Sequence, residues 1–297
     1  MKLLVTGGRG FIGSHFVEEA LTRGHTVIDV DCMSYAASEK LPWDSNENYT
    51  LLIEDISQLK HLPSCDIIVN FAAESHVDNS IRETDPFIKS NILGVHNLLE
   101  LIRGKRSYDR PLFVQISTDE VYGDQTSSCF QETDKLCPSN PYSASKAAAE
   151  MLVLSYGRTY GIEYQITRSA NNYGERQYKE KLIPRCIDSI HNNKKIPVHG
   201  DGSYIRDWTY VKDNVDGVFA VIESGQKNDI YNIAAENHMV NLDVVKQVLY
   251  WFEKKPEDYI QFVENRWGQD LKYSISSDKL KGLGWKPKYN NGIYKWF

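Results

Sequence analysis

The first half of the chain alternates short apolar runs with longer amphipathic stretches. Lys2–Thr6 (KLLVT) reads as a strand, and so do residues 26–31 (TVIDVD), 49–55 (YTLLIED), 66–73 (DIIVNFAA), 111–118 (PLFVQIST) and 163–169 (EYQITRS). Between them lie helical patterns. In residues 11–24, Phe11, Ile12, Phe16, Ala20 and Leu21 recur at helical spacing and Gly24 ends the run. Residues 84–103 carry Pro86 in the first turn, where a missing N–H costs nothing, and residues 140–161 form a long helix. Strands that are apolar on both faces, alternating with helices, predict a parallel sheet covered on both sides. The expected class is α/β, a Rossmann-type doubly wound sheet. The rhythm breaks near residue 174. Residues 1–173 are therefore read as a dinucleotide-binding domain. Residues 174–297 are read as a smaller mixed α/β lobe, with a soft boundary and chain returning to the first lobe.

Composition adds limits. The 297 residues are 41% hydrophobic and 25% charged, ordinary for a soluble globular chain. A formal net charge of −6 argues against a general nucleic-acid binder. No apolar stretch is long enough for a signal peptide or membrane span. Cys32, Cys65, Cys129, Cys137 and Cys186 are odd in number and lack CxxC spacing, which predicts reduced thiols in a cytoplasmic protein and no zinc site.

Three motifs carry chemistry. VTGGRGFIG holds Gly8-x-Gly10-x-x-Gly13 and Gly7-x-x-Gly10-x-x-Gly13 between a predicted strand and a predicted helix. Glycines there let the backbone approach a pyrophosphate at the positive helix end. Asp31 closes the second strand, where a carboxylate binds the adenosine ribose and repels a 2′-phosphate; the cofactor expected is NAD. Asp55 and Ile56 are placed to reach the adenine. In PYSASK, Tyr142 and Lys146 are four apart on one helix face, and a cationic lysine is expected to lower the tyrosine pKa. In QISTDEVYGD, Thr118 and two adjacent acids, Asp119 and Glu120, stand where a buried strand ends. A solvated turn explains most such pairs, so the reading depends on the other two motifs.

Together with FAAESHVDNSI, TRSANNYGERQYKEKLIP, HGDGSYIRDWTYVKD and YNIAAENHMVNLDVV, these motifs make the chain resemble the extended short-chain dehydrogenase/reductase family, and within it the nucleotide-diphosphate-glucose 4,6-dehydratases. The resemblance implies catalytic roles for Thr118, Asp119, Glu120, Tyr142 and Lys146. It implies NAD contacts from Gly7, Gly10, Phe11, Ile12, Gly13, Asp31, Ser34, Asp55, Ile56, Phe71, Ala72, Ala73, Ser90, Tyr142, Lys146 and Asn172. It implies that Ser75, Thr118 and Asn171 touch the sugar or its phosphates. Lys181, Leu182, Pro197 and His199 would frame the nucleoside, and Arg206, Asn241 and Arg266 would hold the diphosphate. Asn241 by itself would read as a helix N-cap. Family members dimerise through a four-helix bundle, here expected from residues 84–103 and 141–160. His199 stands where eukaryotic relatives often carry histidine, which leans the base towards UDP over dTDP. Rival expectations are a 4-epimerase or decarboxylase, in which Asp119 and Glu120 have no task, a GDP-mannose dehydratase, disfavoured by Asp31, and a non-catalytic dinucleotide sensor.

Overall fold

The computed structural model describes residues 1–124, 128–265, 268 and 270–296. Its strands in chain order are β1 (Lys2–Thr6), β2 (Thr26–Asp31), β3 (Tyr49–Ile53), β4 (Ile67–Asn70), β5 (Leu112–Thr118), β6 (Tyr164–Ser169), β7 (Asn171–Tyr173), β8 (Ile196–His199), β9 (Ile205–Tyr210), β10 (Asp229–Ile233), β11 (His238–Val240) and β12 (Ile260–Val263). Its helices include α1 (Phe11–Thr22), α2 (Val77–Arg82), α3 (Asp85–Phe87), α4 (Gly94–Arg103), α5 (Pro141–Tyr160), α6 (Leu182–His191), α7 (Val211–Ser224) and α8 (Asn241–Trp251).

Seven strands form one sheet in the order β10-β6-β5-β4-β1-β2-β3, with every pairing parallel. Leu3, Leu4 and Val5 on central β1 are fully buried, because helices cover both faces. One face packs on α1 and α7, where Phe16 and Phe219 stack with centroids 4.5 Å apart. The other packs on α4 and α5 through Leu98, Leu99, Ala149 and Val153. Truncating Phe219 to alanine would cost about 3–5 kcal/mol by the usual toll for a buried aromatic ring. Two small sheets, β11-β9-β7 and β12-β8, form the substrate-side layer with α6 and α8. β10 lies in sequence between β9 and β11 of that layer but pairs with β6 in the main sheet.

The single helix expected over 84–103 is interrupted. Ile88–Leu93 is a π-helical turn between α3 and α4. The extra residue turns Asn91 inward, where its Nδ2 donates to Ser145 Oγ at 2.8 Å and its Oδ1 accepts from Glu74 N at 2.9 Å. Such bulges mark functional sites more often than plain helix does.

Candidate active site

The C-terminal ends of parallel strands open onto a cavity of about 460 Å³. Gly7 has φ +71°, and a Cβ there would sit 2.7 Å from Ala72 N; one on Gly13 would sit 2.1 Å from the Gly7 carbonyl. Only glycine allows the loop to pass this close to β4 and to itself. Gly10 precedes α1 with no side-chain cap, so the first N–H groups of the helix face the cavity unscreened. Every residue expected to contact NAD lines this cavity: the glycines, Phe11 and Ile12 at one end, Asp31, Ser34, Asp55 and Ile56 along the rim, Phe71, Ala72, Ala73 and Ser90 beneath, and Tyr142, Lys146 and Asn172 at the far end.

The residues fit a dinucleotide. Asp31 accepts from Arg9 N at 2.9 Å and Met33 N at 2.8 Å, which fixes its carboxylate at the end of β2. Asp55 pairs with Lys89 Nζ at 2.8 Å; burial pushes its pKa up, and Lys89 with Ser57 brings it below the usual value. Asn172 Oδ1 is buried with no hydrogen-bond partner among the described residues.

A second cavity, of about 200 Å³, adjoins the first and shares Glu120, Asn171, Asn172, Gln177, Glu180 and Lys181 with it. Lys181, Leu182, Pro197, His199, Arg206 and Asn241 line it, while Ser75 and Thr118 line the larger one. Arg266 lies outside the described residues. Arg206 is no surface residue. It is 8% exposed, donates to the carbonyls of Ile205 at 2.7 Å and Asp270 at 2.9 Å, and lies 4.1 Å from the Tyr273 ring centroid. Asn241 is the first residue of α8 and not its N-cap, which is Val240. Its Oδ1 is buried without a partner at the cavity wall, so the side chain is available to a ligand instead of to its own helix.

The acids sit where the two cavities meet. β5 ends at Thr118, and residues Asp119–Tyr122 form a 3₁₀ turn. Thr118 Oγ1 caps the turn, accepting from Glu120 N at 3.3 Å and donating to Asp119 Oδ1 at 3.2 Å. Asp119 is 2% exposed and its Oδ2 has no partner. Burial, then Glu120 and Asp207, push its pKa well above the carboxylate range. Glu120 is raised less. Burial again leads, but Arg206, the Asn140 amide and Lys181 pull it back, and Asn140 Nδ2 donates to Glu120 Oε2 at 3.4 Å. Both acids are thus pushed up, Asp119 further than Glu120, so a proton shared by the pair rests first on Asp119.

Tyr142 and Lys146 share one face of α5, whose start is fixed by a capping box between Asn140 and Ser143. Lys146 Nζ donates to the Ile116 carbonyl at 2.6 Å, and burial lowers its pKa to about 8. The expectation that Lys146 lowers the Tyr142 pKa is corrected here. Burial first, then the charge of Glu120, push the phenol up; the hydrogen bond with Thr118 opposes this. Tyr142 is kept protonated because desolvation and the neighbouring Glu120 outweigh the Thr118 hydrogen bond.

Sequence reasoning missed several neighbours of this site. Tyr273 lines the smaller cavity and donates to Asp270 Oδ2 at 2.8 Å; Ser139 Oγ donates to Asp270 Oδ1 at 2.6 Å. Asp207, buried on β9, is pushed up to about 7 by burial and raises Asp119 in turn. Asn140 was detectable as an Asn-Pro helix start. No local signal marks Tyr273 or Asp270.

A family model described as GDP-mannose 4,6 dehydratase matches residues 4–292. The low-salt glycan biosynthesis protein Agl12 of Haloferax volcanii is 41% identical over 98% of this chain and 94% of its own. The dTDP-glucose 4,6-dehydratase of Haemophilus influenzae is 38% identical over 100% and 98%. The crystal structure of DesIV, a dTDP-glucose 4,6-dehydratase of Streptomyces venezuelae with NAD bound, superposes with a TM-score of 0.92 at 34% identity, covering 97% of this chain and 92% of that one. With a family model over residues 4–292 and relatives of 38–41% identity along nearly the whole chain, the protein belongs to the GDP-mannose 4,6 dehydratase family.

Proposed function

We propose that this protein is a hydro-lyase, an NAD-dependent nucleoside-diphosphate-glucose 4,6-dehydratase. The observation that carries the reading is the Asp119–Glu120 pair at the cofactor cavity, Asp119 buried and Glu120 half-buried, with Asp119 pushed to the higher proton affinity. An epimerase or a dinucleotide sensor has no use for that pair.

The residues lining the larger cavity would hold NAD, which would supply a hydride acceptor for sugar C4 and a hydride donor for C6. Tyr142, acting as its phenolate after giving up its own proton with Lys146 supplying the local cation, takes the proton of the C4 hydroxyl, while Thr118 hydrogen-bonds at the same oxygen. Oxidation at C4 acidifies the C5 proton. Glu120, the ionised acid, removes it, while Asp119, the protonated one, gives its proton to the departing C6 hydroxyl. Water leaves, and a solvent-derived proton returns to C5 through Glu120. The product is the 4-keto-6-deoxy-glucose nucleotide. Arg206 and Asn241 would hold the diphosphate; Lys181, Leu182, Pro197 and His199 would frame the nucleoside.

For the base, dTDP-glucose is the first reading, because the named dehydratase relatives act on it. UDP-glucose is the second, on His199 at the cavity wall. A homodimer through residues 84–103 and 141–160 belongs to the same reading and is supported by Ile88, Leu93 and Met151, apolar and exposed on that face. Among the described residues, no helix is long and apolar enough to cross a membrane.

The test is incubation with dTDP-glucose and, separately, UDP-glucose in heavy water, followed by product mass. Loss of one water with gain of one deuterium supports the dehydratase, and the faster substrate names the base. An unchanged mass with formation of the galacto epimer would replace it with the epimerase.

A further inference from the structure

The turn that carries the two acids is held from behind by a buried polar cluster that none of these steps uses. Tyr122, the last residue of the turn, is 1% exposed and lines neither cavity. Its hydroxyl accepts from Arg168 Nη1 at 2.6 Å and donates to Asn232 Oδ1 at 2.9 Å. Arg168, on β6, is itself buried. It forks onto Glu150, with Nη2 to Oε2 at 2.7 Å and Nε to Oε1 at 3.2 Å, and Nη1 also donates to the Glu132 carbonyl at 3.1 Å. Glu150 is fully buried on α5, one helical turn beyond Lys146 and two beyond Tyr142, on the same face. The Phe130 ring stacks on Tyr122 with centroids 4.9 Å apart. Tyr122 therefore joins three elements: the acid turn, the helix of Tyr142 and Lys146, and β6.

Two features separate this joint from plain packing. A buried ion pair is a poor source of stability, since apolar residues of the same volume often serve as well. The two halves of the site also depend on it unequally. Tyr142 and Lys146 are held by the capping box of α5 and by the Ile116 carbonyl. The acids ride on a four-residue turn whose internal ties are the Thr118 cap and the Gly123 N to Glu120 carbonyl bond at 3.2 Å; from outside, Cys137 N donates to the Val121 carbonyl at 3.0 Å and Asn140 Nδ2 to Glu120 Oε2 at 3.4 Å, and Tyr122 is its link to β6 and Arg168.

We propose that Tyr122, backed by the Arg168–Glu150 pair, is the positioning residue for the elimination half of the reaction, fixing Asp119 and Glu120 relative to Tyr142 so that C5 and C6 are met in register after C4 is oxidised. The inference rests on the dehydratase reading. Small displacements of reacting groups cost large factors in rate, so the hydroxyl of Tyr122 acts on the chemistry without touching substrate.

Tyr122→Phe removes that hydroxyl alone. The expected result is a fall in kcat of about ten-fold or more with KM within about two-fold, as for loss of a positioned acid–base group. Deuterium at sugar C5 slows the variant more than the wild type, while the effect of deuterium at C4 does not grow. Asn232→Ser, which removes the acceptor of the Tyr122 hydroxyl, gives the same pattern by a second route. Val218→Ala, in the α7 core, controls for stability: it lowers Tm and leaves kcat and both isotope effects unchanged. Wild-type values in Tyr122→Phe, or a loss that leaves the C5 isotope effect where it was, overturn the proposal. Failure of the wild type to release water overturns the dehydratase reading and this inference with it.

Discussion

The two cavities are built on opposite principles. The larger is made by the fold: strand ends, glycine backbone and the uncapped start of α1 create it. The smaller is made by side chains gathered from α6, β8, β9, α8 and the segment around Tyr273. Backbone geometry follows from the sheet, so the first cavity tolerates little change in shape. Side-chain chemistry is chosen residue by residue, so the second can change its ligand without changing the fold. The acids stand on the border, with the turn supplied by the sheet and their charge states supplied by Arg206, Asn140, Lys181 and Asp207 from the other side.

The strongest break of that comparison is at the border itself. Glu120→Gln should lower kcat about a thousand-fold, the upper range for a lost general base, while binding of the nucleotide sugar stays within a few-fold. A product-mass assay in heavy water, beside calorimetric titration with dTDP-glucose, checks both. Retained C5 exchange in this variant would move the base role elsewhere.

On the backbone-built side, Gly13→Ala should cost roughly 3 kcal/mol or more, since the added Cβ meets the Gly7 carbonyl at 2.1 Å and a packed loop has little room to shift. NAD should no longer raise the melting temperature of the variant. A normal cofactor-induced shift would show that the loop yields.

Lys146 separates chemistry from stability. The folded protein releases its proton near pH 8, the unfolded chain near 10.5. Between those values the unfolded state binds more protons, so rising pH favours the folded state through this group even as the catalytic cation disappears. The expected outcome is kcat declining from about pH 8 upward, with no loss of urea midpoint assignable to Lys146. Lys146→Met should flatten that limb of the kcat profile; an unchanged limb would assign it to another group.

The smallest effect lies on the side-chain-built side. His199→Tyr should shift the ratio of kcat/KM for UDP-glucose over dTDP-glucose by about ten-fold or less, the scale of one altered pocket contact, and should leave the dehydration itself intact. A ratio that does not move would remove His199 from base selection.

The legible part of the site was local in the chain. Gly7 to Gly13, Asp31, Thr118 to Glu120, and Tyr142 with Lys146 each follow a strand or share a helix face, so spacing along the sequence maps onto spacing in space. The same holds for the strands, whose unbroken apolar runs report burial on both faces. Other features depended on contacts between distant segments. The π turn at Ile88–Leu93 exists because Asn91 reaches Glu74 and Ser145. Tyr273, Asp270 and Asp207 approach the acids only because segments far apart in the chain pack together. Asp119 is pushed up further than Glu120 although the residues adjoin, because desolvation and neighbouring charges depend on surroundings and not on sequence. The protonated Tyr142 has the same cause. Sequence alone determined the doubly wound sheet and the glycine cradle, through periodicity and short-range spacing, and singled out the candidate reacting groups. Tertiary structure decided which acid holds the proton, which asparagines face a ligand, and how Tyr122 ties the acid turn to the helix of Tyr142, because each depends on groups the chain brings together only when packed.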